Sequence, residues 1–225
     1  MSATIEVDIT FIQLYEMFNK NKVFYFHMVV LKKKWITITI IIVALIVAYN
    51  VFFSASYPNI NTPKPVFGNE KAKVNIIEFS DLQCPACKSA HPVVQRIKNE
   101  YKDNISFEYY HYPLRAVHPY AQKAAEAVEC ANDQGKFFEY IDAAFVQSPD
   151  LQKKNLKIIA ARLGLDAEKF NNCLDSGAKT KIVEGDVRLG DAKTVKGTPT
   201  FFINEKLLDS WDYDSLKAAI ERELR

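Results

Sequence analysis

Net charge is nearly absent from this chain of 225 residues: 29 basic and 27 acidic residues leave a formal +2. The small excess sits at the front, where residues 1–34 carry five lysines against three acids, so the remainder is balanced at 24 of each. Nucleic-acid binding needs a basic patch or stripe, and this balance sets nucleic acid aside as a partner. Methionine is missing from the body, since Met1, Met17 and Met28 are its only occurrences. A body without this oxidisable side chain suits an oxidising location. Cysteine is limited to Cys84, Cys87, Cys130 and Cys173. A structural zinc site uses four ligands, usually including a second close Cys or His pair, and neither Cys130 nor Cys173 has a neighbour of that kind. We therefore expect no metal and no cofactor. Internal repeats are lacking too.

Charge is also missing from one long stretch. Trp35 to Phe53, WITITIIIVALIVAYNVFF, contains no ionisable Lys, Arg, Asp or Glu. As a helix it extends about 28 Å, close to the thickness of bilayer hydrocarbon. Lys32, Lys33 and Lys34 precede it, and the next basic residue is Lys64. The positive-inside bias then puts the N-terminus in the cytoplasm and everything after Phe53 outside the cell membrane. The alternative is a cleaved signal peptide, with Ser54-Ala55-Ser56 as a passable cleavage site, but the run is long for one. The expectation is a single-pass signal-anchor at 35–53. Residues 1–34 are then a cytoplasmic segment, and Met28, followed by its own Lys-rich stretch, is a candidate true start.

Residues 54–65, with Pro58, Pro63 and Pro65, read as an extended linker. From Val66 the pattern becomes that of a folded domain continuing to Arg225. Lys73–Phe79 is a short apolar run suited to a buried strand, Pro85–Tyr101 has helical periodicity, and Ile105–Tyr112 is a second strand, which together make a β-α-β unit. Pro92 inside the helix is expected to kink it. Residues of about 116–190 are helical throughout, with Gly135, Pro149, Gly164 and Gly177 separating five segments. β structure returns at Thr200–Ile203 and Lys206–Leu208 across an Asn204-Glu205 turn. A last helix carries Leu216, Ile220 and Leu224, with Asp212 as a plausible N-cap.

Cys84-Pro85-Ala86-Cys87 lies at the strand-to-helix junction of the β-α-β unit. Unsatisfied N–H groups and the positive end of the helix dipole favour a thiolate there. Pro85 suits the first helical position because it has no N–H to lose. Cys84 is thus the expected attacking sulfur, and Cys87, one turn in, the sulfur that resolves a mixed disulfide. The segments FGNEKAKVNIIEFSDLQCPAC and VKGTPTFFIN resemble the DsbA-like branch of the thioredoxin superfamily, bacterial extracytoplasmic thiol–disulfide oxidoreductases, over roughly Val66–Arg225. The resemblance implies an α/β thioredoxin-like fold with an inserted all-helical subdomain, here preceded by one transmembrane helix. It implies a cis peptide at Thr198-Pro199, lying against the active-site cysteines and helping to hold the substrate strand. It matches Glu78 to a buried acidic residue that assists proton transfer from the inner thiol; a solvent-facing strand carboxylate is the alternative. It also implies a structural disulfide between Cys130 and Cys173, the alternative being two separate buried thiols. One departure matters: strongly oxidising members often carry histidine between the cysteines, and this chain has Ala86.

The expected function is therefore an enzyme, a membrane-tethered protein thiol–disulfide oxidoreductase that forms disulfides in exported proteins. Its expected partners are unfolded or partly folded exported proteins, the membrane through its own helix, and, by the resemblance, a quinone-linked membrane reoxidase. A reductase or isomerase of the same fold is the alternative that Ala86 keeps open. A non-catalytic binding module is the alternative of another class. His91, one turn beyond Cys87, reads as an ordinary helix-surface histidine, and His111 and His118 receive no role.

Overall fold

The computed structural model describes residue 35 and residues 38–49 and 63–225. Residues 38–49 form a helix, α1, with apolar side chains exposed all round. Among the described residues no helix is long and apolar enough to cross a membrane. The expected anchor at 35–53 and linker at 54–65 lie partly outside the described residues, and the expected cytoplasmic segment lies wholly outside them.

The main unit is built on a five-stranded sheet, β1 (Val66–Gly68), β2 (Val74–Ser80), β3 (Ile105–His111), β4 (Thr200–Ile203) and β5 (Lys206–Leu207), in the order β1-β3-β2-β4-β5. β2 and β3 run parallel, joined by the crossover helix α2 (Pro85–Tyr101), while the other pairings are antiparallel. Between β3 and β4 come five helices: α3 (Ala121–Asn132), α4 (Phe137–Gln147), α5 (Lys153–Arg162), α6 (Ala167–Ser176) and α7 (Thr180–Ala192). A final helix, α8 (Tyr213–Leu224), packs on α2 and β2.

Strand periodicity decides which side chains meet which core. Val74 and Ile76 on β2 enter the main core with Ile105, Phe107 and Tyr109 of β3 and the inserted helices. Ile77 and Phe79 enter a smaller core on the other face, with Val195 and Phe202. Glu78 shares the parity of Val74 and Ile76, so alternation carries a carboxylate toward the main apolar core. In the smaller core α7 approaches closely because residue 190 is glycine: a Cβ there would lie 2.6 Å from Tyr112 Cδ2.

Local signals set the element ends. Asp166 and Asp212 cap α6 and α8 by accepting from the N–H groups of Lys169 and Ser215, caps each worth about 1 kcal/mol. Asn204 and Glu205 both adopt positive φ, 46° and 67°, at the two-residue turn between β4 and β5, as a twisted hairpin requires. α2 continues through Pro92 for 17 residues.

Candidate active site

Cys84 occupies the N-cap of α2 in extended conformation, and Pro85 takes the first helical position. The Cys84 N–H donates to the Asp81 carbonyl at 3.0 Å, which closes the turn from β2. Both cysteines are free thiols, Cys84 7% exposed and Cys87 fully buried. The peptide between Thr198 and Pro199 is cis. Its loop is pinned where Thr200 Oγ1 donates to the Gly197 carbonyl at 2.7 Å. The Cys84 thiol reaches the Thr198 carbonyl at 3.5 Å, so the loop and the cysteine helix meet at the outer sulfur.

The two sulfurs have opposite electrostatic situations. Cys84 is pulled down to about 5, first by the hydrogen bond from the Cys87 thiol, with backbone N–H groups of Ala86 and Cys87 assisting against partial burial. Cys87 is pushed far above an ordinary thiol, first by burial and then by holding its proton toward Cys84. The Asp81 N–H also points at its sulfur, at 3.5 Å. An exposed-side thiolate over a buried thiol is the arrangement for attack by one sulfur and retention of a proton by the other.

Beneath them, Glu78 is 3% exposed and lies between Tyr109 of β3 and Phe201 of β4. Burial raises its carboxyl to about 7, against the weaker opposing pulls of Ser80, His91 and Lys98. Ser80 influences Cys87, Glu78 and Tyr109 alike. Yet the Ser80 Oγ and Tyr109 hydroxyls are both buried without a hydrogen bond of full geometry. Lys98, 4% exposed, sits over the rings of Phe67, Phe107 and Phe138 at 4.3, 5.4 and 4.6 Å from their centroids, which stabilises an ammonium withdrawn from water.

The cysteine turn is strapped to the helical insert. Asp81 Oδ1 accepts from the Gln83 N–H, and Oδ2 accepts from the Leu114 N–H and lies 2.8 Å from His118 Nδ1. Gln83 accepts from the Tyr120 N–H at 2.8 Å and donates to the Pro149 carbonyl at 3.3 Å. Lys88 Nζ donates to the Ser148 carbonyl. Cys130 and Cys173 are joined by a disulfide between α3 and α6, away from the reactive pair.

A second buried polar cluster lies at the end of β3. Lys64 falls in the expected linker, but its side chain is 4% exposed, with Nζ 2.7 Å from Glu129 Oε1 and 2.6 Å from Asp186 Oδ2. His111 Nε2 approaches the same Glu129 oxygen to 3.2 Å, and the His111 N–H donates to Asp186. His111, Glu129 and Asp186 are residue types that suit a cation; the cation between the carboxylates is the Lys64 ammonium. Burial pushes Glu129 upward, but the contact and charge of His111 and the charge of Lys64 outweigh it and hold the carboxyl down to about 2. At Asp186 burial prevails over the opposing pulls of Lys64 and His111 and the carboxyl is raised.

Sequence reading picked out Cys84, Cys87, Glu78, Thr198 and Pro199, which the fold brings around one turn. It passed over Ser80, Asp81, Gln83, Lys98 and Tyr109. One signal was available: Ser80 has the β2 parity of Glu78. Another was that Cys87, His91 and Lys98 recur at helical spacing on α2.

The family model described as Thioredoxin matches residues 61–222. The chain is 40% identical over 157 residues to the protein named Na(+)/H(+) antiporter NhaA 1 of Salinispora arenicola, covering 69% of this chain and 24% of that one. It thus spans about a quarter of the length of that relative. A thioredoxin-like oxidoreductase from Silicibacter pomeroyi DSS-3 superposes with a TM-score of 0.65 at 27% identity, over 72% of this chain and 93% of its own. Chlamydia trachomatis DsbA shares the fold at a TM-score of 0.66 and 17% identity, over 73% of this chain and 93% of its own.

Proposed function

The chain belongs to the thioredoxin family, as a DsbA-like thiol–disulfide oxidoreductase, and from that premise we propose that it forms disulfides in exported proteins while tethered outside the cell membrane. The observation that carries the direction of exchange is the depressed proton affinity of Cys84. A thiolate stabilised in the dithiol form favours reduction of the protein's own disulfide, and it also makes Cys84 a good leaving group.

In the proposed cycle a substrate thiolate attacks Cys84 Sγ of the Cys84–Cys87 disulfide. The electron pair of the broken S–S bond goes to Cys87, which takes a proton and remains as the buried thiol. A second substrate thiolate then attacks the substrate sulfur of the mixed disulfide and expels Cys84 as a thiolate. The substrate dithiol has become a disulfide and the protein disulfide a dithiol. A membrane redox partner, quinone-linked in the DsbA-like family, returns the protein to its oxidised form. Run backwards, Cys84 attacks a substrate disulfide and Cys87 resolves the product. Thr198 and cis-Pro199 stand beside Cys84, where a substrate strand would lie.

Three observations support the location. Disulfides persist in oxidising compartments, and Cys130–Cys173 is one. Lys32–Lys34 precede the charge-free run to Phe53 with the polarity of an inside-to-outside anchor. The matching region also occurs within a chain named a Na(+)/H(+) antiporter. Ala86 favours a second reading, since it leaves the dipeptide without a charge to stabilise the thiolate further; the same protein would then run as a reductase.

Equilibration of the Cys84–Cys87 pair against glutathione buffers separates the two. The oxidase reading expects a potential well above the roughly −270 mV of thioredoxin. A value at or below that level supports the reductase and removes the oxidase.

A further inference from the structure

Opening the Cys84–Cys87 disulfide leaves an electron pair on Cys87, a sulfur that water does not reach. Charge arising in such a place needs a fixed donor already aimed at it. The Asp81 N–H points at that sulfur from 3.5 Å, and Asp81 is itself 2% exposed. Burial pushes Cys87 up, and this N–H is one of the pulls against it.

The peptide that carries the N–H is gripped on its opposite edge. Its carbonyl belongs to Ser80 and accepts from the Tyr112 N–H at 2.8 Å. A trans peptide is planar with its C=O and N–H opposed, so the Tyr112 bond on one edge directs the N–H on the other. The following peptide is held as well, where the Asp81 carbonyl accepts from the Cys84 N–H at 3.0 Å. Through its backbone, Asp81 thus contacts both halves of the reactive pair.

The Asp81 side chain anchors this arrangement. Its carboxylate is wholly buried, and its two oxygens meet three donors. Oδ1 accepts from the Gln83 N–H, while Oδ2 accepts from the Leu114 N–H and from His118 Nδ1, each at 2.8 Å. A carboxylate oxygen only accepts, so the contact assigns a proton to Nδ1. The Leu114 carbonyl accepts from the Val117 and His118 N–H groups at 3.0 and 2.9 Å. That tight turn folds the imidazole back onto the oxygen that Leu114 already holds. Of the three donors, His118 alone is a side chain, and it is 17% exposed.

We propose that the Asp81 N–H is the hydrogen-bond donor for the charge that collects on Cys87, and that His118 is a positioning residue acting through the Asp81 carboxylate. The inference rests on the disulfide-exchange reading and names what assists its first step. A substrate thiolate bonds to Cys84 Sγ, the Cys84–Cys87 bond breaks, and its electron pair leaves on Cys87 Sγ. The Asp81 N–H stabilises that pair without giving up its proton. In the second step Cys84 is the leaving sulfur, so the Asp81 N–H has no part in it.

The test separates the two steps in the wild type, Asp81→Asn, His118→Leu and His118→Asn. Opening is followed as attack of glutathione on the oxidised chain. Departure of Cys84 is followed as release of preformed glutathione mixed disulfide from the same chains carrying Cys87→Ser. Asp81→Asn and His118→Leu are expected to slow opening by about tenfold and to leave the release rate unchanged. His118→Asn, whose side-chain amide can donate to Asp81, is expected to restore opening. Slowing of both steps alike, or of neither, overturns the inference. A second measurement does not depend on how these variants fold: the Asp81 amide proton resonance of the reduced wild type is expected to move upfield in Cys87→Ala. A resonance that stays in place overturns the donor. If the oxidised wild type is inert toward glutathione, the exchange reading itself falls, and the inference with it.

Discussion

Glu78 on β2 and Glu129 on α3 are buried to nearly the same degree, 3% and 2% exposed, and lie in one domain with opposite electrostatic fates. Glu129 faces a formal cation at 2.7 Å and an imidazole at 3.2 Å, and stays ionised. Glu78 has only the more distant charges of His91 and Lys98 and an uncommitted hydroxyl, and its carboxyl rises to about 7. Burial is common to both, so the difference lies in the partners. A carboxylate that is matched by a buried cation holds structure; one left unmatched beside a sulfur can give and take a proton near neutrality.

The largest break in that contrast is Lys64→Met, which leaves Glu129 and Asp186 buried without their ammonium. The expected loss is about 3–5 kcal/mol at neutral pH in urea unfolding. A loss below about 1 kcal/mol would mean that Glu129 is no better matched than Glu78. Next comes replacement of Cys130 and Cys173 together by serine. Their bond closes a sequence separation of 43 beside Glu129, and its removal is expected to cost about 4 kcal/mol under oxidising conditions. Unchanged thermal stability would show that α3 needs no brace beyond the Lys64 cluster.

Glu78→Gln tests the other side, and the sign reverses. The folded carboxyl, raised from 4.5 to about 7, keeps a proton that the unfolded chain has lost, so stability falls as pH rises between those values. Above pH 7 the cost is about 3 kcal/mol. The glutamine variant is expected to be more stable by that order at pH 8 and level with the wild type below pH 4.5, while exchanging disulfides more slowly. Equal stability at both pH values would show that burial does not raise the Glu78 carboxyl. Glu129 has the opposite sense: its folded carboxyl is depressed, so its contribution is complete above 4.5 and fades as pH falls toward 2. Acid unfolding of Glu129→Gln should therefore lack that fading component. The smallest effect is spectroscopic. Cys84 is expected to lose half its ultraviolet thiolate absorbance at about pH 5, and Lys64→Met should leave this midpoint in place because the two clusters are separate.

Local pattern made much of the domain readable. Alternation placed β2 and β3, helical spacing placed α2, and the Asn204-Glu205 turn and Asp212 cap marked the C-terminal elements. The environment of Cys84 was legible because a helix N-terminus imposes it within a few residues. The Cys130–Cys173 pairing came from resemblance, since no local pattern joins residues 43 apart, and so did the cis form of the Thr198-Pro199 peptide, because an X-Pro dipeptide alone does not select cis. Lys64 could not be read: a lysine among prolines looks like linker, and its partners lie 65 and 122 positions away. β1 was missed because three residues are too few to show a period. Ser80 and His91 escaped for a different reason. Ser80 shares the β2 face of Glu78 but looks ordinary there, and His91 looks ordinary on α2, whose packing lets its charge act on Glu78.

Gln83 carries a last consequence. The residue before the reactive sulfur spends its side chain on two loops of the insert, at Tyr120 and Pro149. The helical insert is thus a handle attached to the business end of the sheet. A change of backbone path in either loop moves the turn that carries Cys84 while the four-residue motif itself stays untouched.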